Sequence, residues 1–176
     1  MPQAELRAAL AKIDDAVAAA RARAGDAITY HRGCAQCCVA GLSVLPVEAA
    51  LIAATVREQA LALPSATTPG MCAFLEERGD CAIYPLRPVL CRTHGLALKT
   101  EPDPARAGGL TVLGDDVEVC SLNYTTRAPA PAEILDATRI LMLLVTVDRR
   151  YRARVDLPDD GSRVELAALA AELRAR

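Results

Sequence analysis

From residue 4 to residue 24, apolar side chains return at helical intervals. Leu6, Leu10, Ile13 and Val17 follow one another at steps of four, three and four, while Arg7, Lys12, Asp14 and Arg21 fall largely off that stripe. This pattern predicts an amphipathic helix, which Gly25 is placed to end. Pro46 opens a second predicted helix reaching about Ala62, with Leu51, Ile52, Val56 and Ala60 as its buried face. Residues 63–70, rich in Pro, Ser and Thr, read as a loop. A third helix is predicted after Pro129 or Pro131, running to roughly Arg152, with the apolar run Ile140–Val147 as core or subunit interface. A last one follows Ser162, which with Glu165 forms an S-x-x-E capping box. Between Met71 and Thr126 no long helical period appears. Short strands stand out there at Leu110–Leu113 and Val117–Cys120, joined by the turn signal Gly114-Asp115-Asp116. The chain therefore reads as mainly α: one small helical domain over residues 1–176, with an irregular cysteine-rich middle and a short β-hairpin.

Composition sharpens this picture. Of 176 residues 52% are hydrophobic, yet there are only four Tyr, one Phe and no Trp, so the core must be built from Ala, Leu, Val and Ile. Such a set suits helix packing more than a β-sandwich. A net charge of −2 gives no basic footprint for nucleic acid or an anionic membrane, and the missing aromatics remove a base-stacking platform. Glu5, Asp14 and Asp15 interrupt what a secretion leader would need, and Ile140–Val147 is too short to cross a bilayer. A cytoplasmic protein is expected. In a reducing compartment, clustered cysteines serve as metal ligands or redox groups more often than as disulfides.

There are seven cysteines, at 34, 37, 38, 72, 81, 91 and 120. Because seven is odd, they cannot all pair within one chain. The spacing C-x-x-C lets Cys34 and Cys37 converge on one metal through a tight turn or one helical turn, and in a helix Cys34, Cys37 and Cys38 would share a face. Three adjacent thiols without a metal oxidise readily; a metal converts that liability into bonding. Pro85 and Pro88 stiffen the stretch between Cys81 and Cys91 against helix formation. Arg87 and Arg92 put fixed positive charge beside Cys91, which favours thiolate and offsets part of the charge of a polythiolate site.

Three blocks recur in order: C-x-x-C-C at 34–38, C-x-F-L at 72–75, and G-x-C-x-I-Y-x-x-R-P-x-x-C-R from Gly79 to Arg92. The arrangement resembles the YkgJ-type cysteine-cluster family, described as zinc- or iron-chelating domains, over roughly residues 30–123. Cys34, Cys37 and Cys38 match its first block. Cys72, Phe74, Leu75, Cys81, Ile83, Tyr84, Arg87, Pro88, Cys91 and Arg92 match the second, and Cys120 resembles a later, loosely placed family cysteine. The resemblance implies metal or iron–sulfur binding, with all seven cysteines as candidate ligands. A similar block occurs in the flagellin lysine N-methylase family, but no methyl-donor-binding segment is visible here, so that activity is not carried over.

One four-coordinate zinc site or one cluster takes four such ligands, fewer than the chain offers. The spacing matches neither paired zinc knuckles nor small ferredoxins. Single cysteines from several loops around one C-x-x-C-C favour an enclosed iron–sulfur cluster over zinc. Two other classes stay open. One is a metal- or cluster-dependent protein-modifying enzyme, although no C-x-x-x-C-x-x-C, nucleotide-cradling glycine loop or H-E-x-x-H is present. The other is a metal-free thiol redox protein using Cys34 and Cys37. His94 is read as a hydrogen-bonded or exposed loop histidine ahead of a ligand, Tyr84 as packed against the site, and Asp115-Asp116 as a turn.

Overall fold

The computed structural model describes residues 2–29, 31, 33–65, 68–100, 110–113 and 116–175. Five helices dominate it: α1 (Pro2–Ala24), α2 (Pro46–Glu58), α3 (Val89–Thr93), α4 (Ala137–Val155) and α5 (Leu166–Arg174). Six short strands complete it: β1 (Ser43–Val44), β2 (Leu98–Lys99), β3 (Leu110–Leu113), β4 (Val117–Cys120), β5 (Leu135–Asp136) and β6 (Val164–Glu165). The protein is a small, mainly α fold with an irregular cysteine-bearing middle. None of the described helices is long and apolar enough to cross a membrane.

α2 is the centre of the packing, buried on both sides. One side, with Val47 and Leu51, meets Leu6, Leu10 and Ile13 of α1 and Leu144 and Val147 of α4. The other, with Ile52, Ala53 and Val56, meets Phe74, Ile83 and Leu86 of the middle segment and Leu166, Leu169 and Ala170 of α5. The stripe predicted for α1 is thus its core face, since Leu6, Leu10 and Ile13 are buried and Val17 packs at their edge. Removing side chains of this size from water contributes roughly 1.5–3 kcal/mol each. Two buried carboxylates fix the start of α2. Asp148 of α4 accepts from the Val47 N–H at 3.0 Å while pairing with Arg152 at 2.6 Å. Glu48 accepts from the Leu45 N–H at 3.2 Å and the Val89 N–H at 2.8 Å, joining the first turns of α2 and α3.

Several boundaries differ from the sequence expectation, each for a physical reason. α2 stops at Glu58 rather than Ala62: Ala60 turns left-handed (φ 48°), and the Leu61 N–H reaches back to the Val56 carbonyl while that of Ala60 reaches Arg57. Ala60 is exposed, not part of the buried face. α4 begins at Ala137, beyond both prolines. The intervening chain first makes a 3₁₀ turn at Pro131–Glu133 and then pairs β5 in parallel with β2, after which Asp136 caps the helix by accepting from Arg139 N–H at 2.9 Å. The Ser162–Glu165 capping box does not form. Glu165 is drawn into β6, whose partner is β1, and the Ser162 hydroxyl and carbonyl both accept from Arg152. Of the Ile140–Val147 run only Leu144 and Val147 are buried, with Leu141, Met142 and Leu143 exposed.

The strands Leu110–Leu113 and Val117–Cys120 lie where they were expected, paired antiparallel from Leu110 opposite Cys120 to Leu113 opposite Val117. They belong to a larger mixed sheet, in the order β3-β4-β2-β5. Residues 114 and 115 of the predicted turn lie outside the described residues.

Candidate metal centre

The first cysteine segment is not helical. Its C-x-x-C-C lies in two tight turns, Cys34 N–H to the His31 carbonyl (3.1 Å) and Cys38 N–H to the Ala35 carbonyl (2.9 Å). The next step ties it to the second segment through backbone. The Cys72 N–H donates to the Cys38 carbonyl at 2.8 Å, and Val39 bridges Met71. A narrow loop follows, closed by a bridge between Leu75 and Cys81 and by the Glu76 N–H on the Asp80 carbonyl. Its tip carries Gly79 at φ +82°, and a Cβ there would stand 3.2 Å from the Gly33 carbonyl oxygen. The two segments touch at glycines, both in the left-handed conformation that a side chain disfavours, and at Gly79 a Cβ would also be tight.

Pro85 sits in a 3₁₀ turn (Tyr84–Leu86), and Pro88 caps α3, which carries Cys91. Arg92 holds this turn together. Its guanidinium donates to the carbonyls of Arg87 (2.6 Å) and Pro85 (3.0 Å), and to both carboxylate oxygens of Asp14 on α1 at 2.7 and 2.6 Å. Arg92 is therefore not the cysteine-facing charge the sequence suggested, since its charge is spent on Asp14. Arg87 does face the cysteines, stacked 3.6 Å over the Tyr84 ring.

These pieces enclose one cavity of about 670 Å³. Cys34, Cys37, Cys38, Cys72, Cys81 and Cys91 all line it, together with His31, His94, Arg21 and Arg87. Phe74, Ile83, Leu90 and Leu166 supply apolar wall. Cys120 is not among the lining residues; it ends β4, paired with Leu110. All seven cysteines are half-buried free thiols. His94 lies in the turn after α3 and hydrogen-bonds Cys37, in line with a hydrogen-bonded loop histidine. The signal for it was its place three residues after Cys91, which α3 turns toward the same wall.

The electrostatics are those of crowded thiols. Cys37 is held near 4 by the hydrogen bond from Cys38 and then by His94, while its partner Cys38 is pushed up by the same bond and by burial. These are two faces of one shared proton. Burial raises Cys72 and Cys81, and lifts Cys91 to about 12, with Cys72, Cys81 and Cys37 adding to the effect. The expected lowering at Cys91 is thus reversed, because desolvation and neighbouring sulfur outweigh Arg87. A bound cation would invert this balance by favouring the thiolate form of the cysteines that hold it.

Donor chemistry fits a soft, thiolate-binding metal. The placement is looser than a single ion needs: among the described residues no three His, Cys, Asp or Glu side chains stand close enough to hold one. Residues 31–108 match the family model CxxCxxCC, "putative zinc- or iron-chelating domain". The matched segment contains the six cavity cysteines and ends before Cys120. No curated protein and no solved structure matches the chain.

Proposed function

We propose that this protein holds an iron–sulfur cluster in the cavity, on thiolates drawn from Cys34, Cys37, Cys38, Cys72, Cys81 and Cys91, in the cytoplasm where these thiols stay reduced. The observation that carries the reading is the convergence of six cysteines from two separate segments on one wall. Single cysteines from several loops around one C-x-x-C-C favour a cluster over a zinc knuckle. Zinc is the second reading, because the domain is described for either metal. No catalytic step is assigned.

The test is the metal itself. Protein purified without oxygen is analysed for iron, zinc and acid-labile sulfide per chain. Iron with matching sulfide is the expected result. Zinc without sulfide replaces the cluster with a zinc–thiolate centre, and a folded chain free of both overturns the metal reading in favour of thiol redox chemistry.

A further inference from the structure

The two arginines of the R-P-x-x-C-R block have separate fates. Arg92 is saturated, bound to Asp14 and to two carbonyls. Arg87 lines the cavity, and its Nε is buried with no hydrogen-bond partner. A buried donor on a cation is costly to leave unpaired, so an orphan of this kind marks a missing acceptor. Two features hold the donor in place. The Tyr84 ring lies 3.6 Å from its guanidinium carbon, and its own carbonyl is anchored by Arg92 at 2.6 Å. On the wall it shares with Cys81 and Cys91, the group that becomes an acceptor when metal binds is a thiolate. A neutral thiol accepts weakly; a metal-bound thiolate accepts strongly.

Building on the metal reading, we infer that Arg87 is a positioning residue of the centre. Its Nε–H donates to a metal-bound thiolate in the Cys81–Cys91 stretch and offsets that thiolate's charge. Tyr84 serves as the platform that fixes the guanidinium plane. Lysine cannot replace the donor, because its ammonium is a point charge on a flexible stem without the planar fork.

The experiment uses the full chain as wild type, Arg87→Lys and Arg87→Leu, loaded with cobalt(II) alone. Affinity is read by chelator competition, and the sulfur-to-cobalt charge-transfer band by absorption. Arg87→Leu should lose roughly 10–100-fold in affinity, the usual cost of removing a group that supports a ligand. Its band should move to longer wavelength as the thiolate becomes more electron-rich, with Arg87→Lys in between. Unchanged affinity and band in Arg87→Leu overturn the inference. So does an affinity loss with an unmoved band, which would mean that Arg87 only shapes the turn. Should the chain accept a reconstituted cluster but not cobalt, the readout becomes the reduction potential, expected to fall in Arg87→Leu and overturning the inference if it does not. A wild-type chain that takes up neither removes the metal reading, an outcome distinct from a loaded wild type with an indifferent Arg87.

Discussion

The helical body and the cysteine-lined middle are built on opposite terms. In α1, α2 and α4 apolar stripes interlock, and buried charges are matched, as Asp148 is by Arg152. The middle has little regular structure: tight turns, two glycine-bearing loops in contact, a 3₁₀ turn and the five-residue α3 hold its thiols. There the polar groups are not matched. Cys91 is held protonated by burial, Cys37 and Cys38 share one proton, and the Arg87 Nε has no acceptor. The body is complete as a folded object, whereas the middle keeps polar groups that a bound metal of the proposed kind would satisfy. Excess donor capacity in a region otherwise packed against the core is the mark of a site.

The largest expected effect tests this contrast directly. Replacing both Cys81 and Cys91 with Ser should take metal per chain to background while the helical circular dichroism stays at wild-type level; full metal in that variant would place the centre elsewhere. Next in size, Leu6→Ala in the body should cost about 2–5 kcal/mol in urea unfolding, as cavity-forming core substitutions do, yet leave metal per folded chain unchanged. A parallel loss of metal would show that the two regions are not separable. Arg92→Leu probes the link between them. Three acceptors lose their donor, and about 1–3 kcal/mol of stability should go, together with weaker metal retention, since α1 no longer anchors the Pro85–Cys91 turn. Smallest is Gly79→Ala. The left-handed backbone costs about 1–2 kcal/mol for any residue with a Cβ, and the contact with Gly33 loosens, so chelator competition should detect a weaker centre with the body's thermal transition little moved.

The sequence discloses the body and the middle unequally, for the same reason that they differ. The α1 stripe and the β3–β4 pair rest on neighbours a few residues apart, which periodicity reads directly. The Ser162–Glu165 signal was also local, but it lost to a pairing with Ser43 and Val44 far along the chain. The six cavity cysteines were visible because their residue type and spacing carry the chemistry. Their supports were not: Glu48 reaches Val89 across 41 residues, and Asp14 reaches Arg92 across 78. No spacing rule announces a partner at such distances. Cys120 resembles a later, loosely placed family cysteine, and its place at the end of β4, outside the residues that line the cavity, was not legible from spacing.

The backbone bond from Cys72 to Cys38 has a kinetic consequence. Because peptide groups already join the two cysteine segments, an incoming metal does not have to gather them from an open chain. The entropy of closing that loop is spent during folding, before any ligand arrives. Loading should then follow a single encounter phase whose rate scales with metal concentration, without the slow rearrangement seen when a binding site must first assemble around its guest.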